Sequence, residues 1–350
     1  MTRVLIAAGG TAGHVVPALA VAAELRARGA EVVWIGGERA EAELVPAAGY
    51  RLHRVAVRGL SRSNPLVAVR AAGLAARATA RAVRVMRAER PDAVFGAGGY
   101  VAGPVGAAAV LRRVPLVLAE ADSHLGITNR LLVPFARRVC LAFPIEGRDG
   151  PKYRVTGRPV PPPAGDRDGA RAELGVGRDE DLVLVFGGSL GARSVNQAAI
   201  EAFADAPFRV LHAAGRRDFA ELQAPRSGYD LRDYLTTEAF SRALLASDLV
   251  VARAGGSIFE ICSHGRPAVL VPYPHATADH QTTNAHWMAD AGAAVIVPDA
   301  ELTGPRLARE VAALFADRGR LQAMGKASAA LARPEAAAAV ADEVLAAAGS

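Results

Sequence analysis

One histidine and several glycine-rich turns are the candidates for catalysis and for phosphate binding in this sequence. The segments RVLIAAGGTAGH (3–14) and LVLVFGGSLGAR (182–193) each contain an apolar strand, a Gly-Gly pair, a hydroxyl residue, a further glycine and the start of a helix. Glycines in such a turn let backbone N–H groups approach a phosphate, and a helix N-terminus favours negative charge. Gly188, Ser189 and Gly191 could therefore hold the diphosphate of a donor, although such turns also use glycines for packing alone.

His14 ends the first glycine turn and precedes Pro17, where we expect the helix to begin. The ordinary pKa of an imidazole lies near neutrality, so His14 could accept the proton of an acceptor hydroxyl as a general base. We expect its side chain to point into a cleft. A histidine that only caps or packs is the alternative.

A third glycine turn lies in GAGGYVAGP (96–104), between a predicted strand and a predicted helix. Gly98, Gly99 and Tyr100 could form a cradle for an acceptor phosphate. A tight turn that needs glycine only for its backbone angles is the alternative.

The second half contains a fourth turn, in which Gly256 opens a helix after the strand Leu249–Ala252. Glu260 falls in the first turn of that helix, where its carboxylate could accept both hydroxyls of a ribose. A carboxylate at this place also suits the helix dipole without any ligand.

Polar residues crowd the segment that follows. The side-chain amides of Gln281 and Asn284 suit sugar hydroxyls, which need both donors and acceptors. His275, Asp279 and His280 are possible metal ligands, but no pair among them has a diagnostic spacing. We therefore predict no metal site.

The composition predicts a globular protein of two domains. At 350 residues the chain is long for a single core, and 51% hydrophobic with 22% charged residues does not indicate disorder. The longest apolar runs, such as 15–23, are too short to cross a bilayer. Cys140 and Cys262 lack the spacing of a zinc site, which favours a reduced cytoplasmic setting.

The net charge of +6 and the pI near 9.8 favour an anionic partner, and by themselves they fit nucleic acid, acidic lipid and phosphorylated substrates equally. From Asn64 to Arg90 the spacing predicts a helix with Arg70, Arg77, Arg81 and Arg84 close to one face. A basic, partly apolar helix suits a membrane surface. A solvated arginine face on a crossover helix is the alternative.

Short β-branched runs alternate with helical patterns, which predicts parallel sheets with crossover helices. The predicted strands are Val4–Ala8, Val32–Ile35, Ala93–Phe95, Leu116–Ala119, Val139–Ala142, Leu182–Phe186 and Leu249–Ala252. Because prolines and glycines interrupt the pattern at 157–177, we place one domain at 1–156 and a second at 157–350, with the last helix able to pack back on the first. The two halves begin with similar segments, at 3–14 and 182–193. This internal similarity predicts two nucleotide-fold domains facing each other across a cleft.

Five motifs in this order resemble the MurG family of peptidoglycan glycosyltransferases. They are GGTAGHVVPALA at Gly9, GAGGYVAGP at Gly96, LGITNRLL at Leu125, GGSLGARSVNQ at Gly187 and the block from Arg253 to Asn284, so the resemblance runs nearly end to end. It implies an α/β protein of GT-B fold, with two Rossmann-like domains, and an inverting single displacement without metal or cofactor. It also implies peripheral attachment to an anionic membrane surface, at the cytoplasmic face of the cell membrane.

The resemblance further implies the substrates. N-acetylglucosamine would move from UDP-N-acetylglucosamine to undecaprenyl-diphosphate-linked N-acetylmuramoyl pentapeptide, with no nucleic-acid partner. His14 matches the family's base or acceptor-positioning histidine. The implied acceptor contacts are Gly98, Gly99, Tyr100 and Asn129, and the implied donor contacts are Thr11, Gly13, Asp122, Gly188, Ser189, Gly191, Phe240, Gly256, Glu260, Gln281 and Asn284. Among these, Phe240 matches a position near the uracil and Glu260 the ribose ligand.

Two segments depart from the family pattern. Where the family usually has His-Glu-Gln-Asn, this chain has Ala119 to Asp122, so a carboxylate replaces an amide. Where the family usually has Gly-Asn-Pro-Val-Arg, this chain has Gly157 to Pro161, so Arg158 is the arginine that could contact a phosphate. These departures keep three alternatives open. They are a related transferase with another nucleotide sugar or lipid acceptor, a UDP-sugar epimerase-like hydrolase, and a non-catalytic binding homologue.

Overall fold

The computed structural model of this chain describes residues 1–57, 65–188, 190–276 and 279–349. These residues form two compact units: 1–161 together with 333–350, and 162–332. The chain thus leaves the first unit five residues beyond the end predicted for the first domain, and the last helix belongs to the first unit.

The first unit begins with a regular alternation of strands and helices. Its elements, before the chain enters the second unit, are β1 (Arg3–Ala8), α1 (Ala12–Ala27), β2 (Glu31–Gly36), α2 (Ala40–Ala47), β3 (Arg51–Arg54), α3 (Pro65–Glu89), β4 (Ala93–Gly98), α4 (Ala102–Arg112), β5 (Leu116–Glu120), α5 (Ile127–Leu132), β6 (Arg138–Leu141) and β7 (Tyr153–Val155). A 3-10 turn at Val133–Phe135 follows α5.

The second unit repeats the alternation. Its elements are α6 (Arg167–Glu173), β8 (Leu182–Phe186), α7 (Arg193–Ala202), β9 (Arg209–Ala213), β10 (Tyr229–Arg232), α8 (Thr237–Ala246), β11 (Leu249–Ala252), α9 (Ile258–Ser263), β12 (Ala268–Leu270), α10 (His280–Asp290), β13 (Ala294–Ile296), α11 (Gly304–Ala316) and α12 (Arg318–Leu331). The final helix, α13 (Ala336–Ala348), returns to the first unit.

Both sheets are parallel and have the strand order of a doubly wound nucleotide fold. The first is ordered β3-β2-β1-β4-β5-β6-β7 and the second β10-β9-β8-β11-β12-β13. In each sheet the strand order reverses next to the first strand, between β1 and β4 and between β8 and β11. Such folds bind ligands at this switch point, at the carboxyl ends of the strands. The predicted fold class, with two Rossmann-like domains of parallel strands, is confirmed.

Side chains of β1 alternate between two buried layers, as the period of two in a strand requires. Val4 and Ile6 pack on the side of α1 and α13, whereas Leu5 and Ala7 pack on the side of α3 and α4. Val344 of α13 is fully buried in the first of these layers. The last helix therefore completes the core of the first unit.

All seven predicted strands are present, as β1, β2, β4, β5, β6, β8 and β11. The strands without a prediction are short or polar, such as β3 with the sequence RLHR and β12 with only three residues. Hydrophobic periodicity is weak over so few residues.

The expected helix start at Pro17 is wrong. Helix α1 begins at Ala12, and Pro17 lies inside it. The carbonyl of Thr11 accepts hydrogen bonds from His14 N at 3.0 Å and Val15 N at 3.3 Å, so the first turn forms ahead of the proline. His14 consequently lies within the first helical turn.

Helix α3 corresponds to the predicted basic helix, of which Asn64 and the side chain of Arg70 lie outside what the structure describes. Ala78, Ala82, Val85 and Met86 are buried in the core, while Arg77, Arg81 and Arg84 are exposed. Over this part of the helix, the apolar face therefore packs within the first unit, and the arginines face solvent.

Across the described residues, none of the helices combines the length and the apolar composition that a bilayer crossing requires.

Candidate functional site

The turn between β1 and α1 places His14 against a second glycine turn. The Nδ1 atom of His14 lies 3.3 Å from the hydroxyl oxygen of Thr11. A Cβ atom added to Gly98 would lie 2.7 Å from Cδ2 of His14, so the imidazole packs directly on the backbone after β4. A side chain at this position would clash with the imidazole, and the φ of Gly98, 107°, is one that other residues rarely adopt. Both reasons require glycine here.

The two turns also meet through their backbones. A Cβ atom on Gly99 would lie 1.9 Å from the carbonyl oxygen of Gly9, and Gly99 has a φ of 76°. Tyr100 follows with a side chain that is 55% exposed. The structure thus brings the predicted residues His14, Gly98, Gly99 and Tyr100 together at one end of the first sheet.

Glu41, which the sequence analysis did not identify, fixes this turn through hydrogen bonds to its backbone. Its side chain is 1% exposed, and its two carboxylate oxygens accept hydrogen bonds from Gly10 N at 2.8 Å and Gly37 N at 2.7 Å. The carboxylate thereby ties the turn after β1 to the turn after β2. A glutamate in the first turn of α2 carries no sequence signal for this role, because only the fold brings Gly10 and Gly37 together.

A second buried carboxylate, Glu120, lies at the end of β5. It accepts hydrogen bonds from Gly126 N at 2.8 Å, Asp122 N at 3.1 Å and the side-chain amide of Asn129 at 2.9 Å. Burial raises the pKa of Glu120, and these three hydrogen bonds oppose the rise. Asn129 is itself buried and also donates to the carbonyl of Ala119 at 2.9 Å, so in this arrangement it positions Glu120.

His14, Glu120 and Arg158 line one cavity of about 30 Å³ in the first unit. Its deeper walls are apolar and include Phe95 and Val340, each about 1% exposed. The cavity therefore joins a polar rim to an apolar floor.

The surroundings of His14 favour the neutral imidazole. Burial lowers its pKa from the ordinary 6.5, and the positive charge of Arg158 lowers it further, while the carboxylates of Asp122 and Glu41 act in the opposite direction. A neutral imidazole can accept a proton, so the geometry suits the predicted role of a base.

The second unit contains the other glycine turn, between β8 and α7. Gly188 and Gly191 have positive φ values of 97° and 87°, and Ser189 lies outside the described residues. A Cβ atom on Gly191 would lie 2.1 Å from the carbonyl oxygen of Ala214, so this turn also packs on the backbone of a neighbouring strand end.

A fully buried chain of hydrogen bonds supports that contact. The amide of Asn196 donates to Ala214 O at 2.9 Å, so its Oδ1 atom must accept from Nε2 of His212 at 3.0 Å. The other ring nitrogen, Nδ1, then accepts from the hydroxyl of Tyr229 at 2.8 Å. Burial lowers the pKa of His212 to about 4, which keeps this tautomer neutral at physiological pH.

The predicted donor residues around β11 and α10 lie around one turn of the second unit. Glu260 lies in the first turn of α9, as predicted, and is half-buried. Gln281 accepts a hydrogen bond from Tyr273 N at 3.0 Å through its side-chain oxygen, and its Nε2 would lie 3.8 Å from a Cβ on Gly255, next to Gly256. The amide of Asn284 donates to the carbonyl of Ala254 at 3.0 Å and is fully buried. Asn284 thus holds this turn from inside.

Phe240 packs edge-on against Phe186 at the end of β8, with ring centroids 4.9 Å apart. Arg253, at the end of β11, forms an ion pair with Asp299 at 2.6 Å and donates to the hydroxyl of Ser194 at 2.7 Å. It joins the start of α7 to the turn after β11, a role that the sequence analysis missed because Asp299 is distant in sequence.

Among the described residues, no group of three histidine, cysteine or carboxylate side chains converges as metal ligands.

Comparisons with known proteins assign both halves of the chain to one family. Residues 4–141 match the glycosyltransferase family 28 N-terminal domain, and residues 182–340 match the corresponding C-terminal domain. A relative from Moorella thermoacetica is 43% identical over 98% of both chains and is named UDP-N-acetylglucosamine–N-acetylmuramyl-(pentapeptide) pyrophosphoryl-undecaprenol N-acetylglucosamine transferase.

Solved structures agree with this assignment. The crystal structure of MurG from Acinetobacter baumannii is 31% identical, covers 99% of both chains and has a TM-score of 0.77. A UDP-GlcNAc 2-epimerase from Neisseria meningitidis, solved with UDP-GlcNAc, has a TM-score of 0.68 over 99% of this chain at only 12% identity, which shows a common fold alone.

We expect Glu41→Gln to loosen the first glycine turn, because the variant loses the charge and one of the two acceptors. Hydrogen bonds to charged groups contribute about 1.5–3 kcal/mol, so amide exchange at Gly10 and Gly37 should accelerate roughly 10- to 100-fold in hydrogen-exchange NMR. Glu43→Gln, at an exposed position of the same helix, is the control and should leave both rates unchanged. Equal protection in the two variants would show that Glu41 does not hold the turn.

Proposed function

This chain belongs to glycosyltransferase family 28, and we propose a reaction for it. It transfers N-acetylglucosamine from UDP-N-acetylglucosamine to an N-acetylmuramyl-(pentapeptide) pyrophosphoryl-undecaprenol acceptor. The chain is a hexosyltransferase of peptidoglycan precursor synthesis. The observation that supports His14 as the base on the acceptor side is the packing of its imidazole on Gly98, at the glycine-lined end of the first sheet. Burial also lowers the pKa of this imidazole, which favours its neutral form.

His14 is the general base of the proposed reaction. Its Nδ1 faces the hydroxyl of Thr11, which leaves Nε2 to take the proton of the acceptor hydroxyl. The acceptor oxygen then attacks the anomeric carbon of the donor sugar, and the bond from that carbon to the UDP oxygen breaks in the same displacement. The neighbouring Gly99 and Tyr100 offer backbone donors and an exposed hydroxyl for the acceptor diphosphate.

The second unit holds the donor in this proposal. The turn at Gly188 to Gly191 and the N-terminus of α7 favour the negative charge that grows on the departing diphosphate. Glu260 accepts hydrogen bonds from the ribose, Phe240 packs near the uracil, and Gln281 contacts the sugar.

Incubation with UDP-N-acetylglucosamine, with and without the lipid-linked muramoyl acceptor, tests the proposal. Release of UDP that depends on the acceptor, together with a new disaccharide product, is the expected result. Isomerised or hydrolysed donor without acceptor would instead support an epimerase-like enzyme. Binding of UDP-N-acetylglucosamine without any turnover would support a non-catalytic homologue.

We expect His14→Ala to lower kcat by roughly 10²- to 10⁴-fold, the contribution typical of a general base, because the variant loses the imidazole that takes the acceptor proton. The affinity for UDP, measured by calorimetry, should stay within twofold because the residues proposed to contact the uracil, the ribose and the leaving diphosphate lie in the other unit. The control is His286→Ala, which removes an exposed histidine from α10. Turnover within a factor of three of the wild type would remove His14 from the mechanism.

We also propose that the first unit attaches to the cytoplasmic face of an anionic membrane, where a lipid-linked acceptor would be reached. Four large apolar side chains are 52–70% exposed on α4, α5 and the following 3-10 turn: Leu111, Ile127, Leu131 and Phe135. Exposed arginines accompany them in the same segments: Arg112, Arg113, Arg130 and Arg137. Apolar side chains among cations suit insertion between anionic headgroups.

Leu131→Ser combined with Phe135→Ser should weaken binding to vesicles containing phosphatidylglycerol, because two apolar anchors are lost. Each buried apolar side chain contributes about 1.5–3 kcal/mol, so the affinity in a vesicle co-sedimentation assay should fall at least roughly 10-fold. Phe219→Ser, in the second unit, is the control. If the double variant and the control bind vesicles equally, this surface is not the attachment site.

A further inference from the structure

The first turn of α1 contains a backbone position that the helix itself cannot satisfy. In an α-helix the carbonyl of residue 13 accepts a hydrogen bond from the N–H of residue 17. Residue 17 is a proline, which has no N–H, so Pro17 deprives Gly13 of this partner. The affected carbonyl belongs to the residue directly before His14.

Arg158 supplies the missing donor. Its Nη2 atom donates to the carbonyl oxygen of Gly13 at 2.5 Å, across 145 residues of sequence. A Cβ atom at Gly13 would lie 3.6 Å from the same nitrogen, an ordinary contact distance, so the guanidinium packs directly on this turn. A guanidinium thus takes the place of a helical N–H.

The backbone directly before Arg158 is fixed by hydrogen bonds and by close packing. Thr156 N and Gly157 N both donate to the carbonyl of Leu141 at the end of β6, at 3.0 and 3.2 Å. Gly157 has a φ of 80°, and a Cβ atom there would lie 2.6 Å from Cβ of Arg333. Arg158 therefore extends from a rigid support within the first unit, three residues before the chain leaves that unit at Pro161.

We propose that Arg158 is a positioning residue for the transfer reaction, which replaces the N–H that Pro17 lacks and thereby fixes the helical turn that carries His14. This inference rests on the proposed role of His14 as the base. It differs from a phosphate contact, because the guanidinium acts on the protein backbone and, through that backbone, on the imidazole.

The charge of Arg158 adds a second effect on the same side chain. A cation beside an imidazole disfavours protonation, and Arg158 lowers the pKa of His14 together with burial. Asp122 and Glu41 oppose this effect, and Glu120 lines the same cavity. Loss of Arg158 should therefore raise the pKa of His14, so that the acidic limb of the pH profile of kcat/KM moves to higher pH.

Two substitutions separate the backbone effect from the charge effect. Arg158→Met removes the donor and the charge, whereas Pro17→Ala returns a backbone N–H that can bond Gly13. In Arg158→Met we expect kcat on the alkaline plateau, where His14 is neutral, to fall roughly 10- to 100-fold, a loss typical of a displaced catalytic group. In the double variant Arg158→Met/Pro17→Ala, kcat on the alkaline plateau should regain at least half of the lost logarithmic units. The pKa of His14 should stay raised, because the charge of Arg158 is still absent.

NMR titration of the His14 ring in the unliganded protein provides a readout independent of turnover. The expected result is a raised pKa of His14 in both Arg158→Met proteins and an unchanged pKa in Arg154→Met, which removes an exposed arginine from β7. If the protein lacks transferase activity, this titration still tests the contact between Arg158 and the helical turn.

An unchanged pKa of His14 in Arg158→Met, or a double variant whose plateau shows no recovery, would overturn the inference. Should Arg158→Met fail to fold, Arg158→Lys retains the charge with a different donor geometry. It should then keep the low pKa of His14 but lose plateau kcat, and full activity of Arg158→Lys/Pro17→Ala would support the proposal. A lysine variant with wild-type kcat in the presence of Pro17 would contradict it.

Discussion

The close approach of two backbone turns is the constraint on which the first unit depends. Gly99 lies so near the carbonyl of Gly9 that no side chain fits between them, and His14 packs on the adjacent Gly98. Three contacts hold the turn. Glu41 accepts a hydrogen bond from Gly10 N, Gly99 packs on the carbonyl of Gly9, and Arg158 donates to the carbonyl of Gly13. An imidazole on such a support has little freedom, which is what a base needs if it is to meet an acceptor hydroxyl in one geometry.

The second unit meets the same constraint with different chemistry. There Gly191 packs on the carbonyl of Ala214. The support combines the neutral chain from Tyr229 through His212 to Asn196 with the buried carboxylate of Asp218, which accepts from the amide of Asn196 at 3.4 Å. Asp218 pairs with Arg217, whose hydrogen bond lowers the pKa of the carboxyl, so a charged pair lies beside the turn that the proposed diphosphate occupies. In the first unit the buried carboxylate of Glu41 and the guanidinium of Arg158 hold the turn. Burial and Arg158 lower the pKa of His14, while Asp122 and Glu41 act in the opposite direction.

Core packing also determines which surface remains for a membrane. The apolar face of α3 is buried through Ala82 and Met86, so over the part that the structure describes this helix exposes arginines and small residues but no large apolar side chain. The exposed apolar side chains are instead on α4, α5 and the turn after them, with Leu131 and Phe135 among the most exposed. The proposed attachment therefore combines apolar anchors from one region with basic charge from several helices.

The sequence by itself determined the fold class, the family and the glycine turns, because strand periodicity, glycine spacing and ordered motifs are local patterns that survive in one dimension. It located His14 but misplaced the start of its helix, since Pro17 ordinarily marks a first turn and the donor that allows it deeper in the helix comes from Arg158. Only the tertiary structure identified Glu41, Arg253 and the chain through His212. Each of these side chains has a partner that is distant in sequence: Gly10 for Glu41, Asp299 for Arg253 and Tyr229 for His212. Folding alone brings such partners within hydrogen-bond distance.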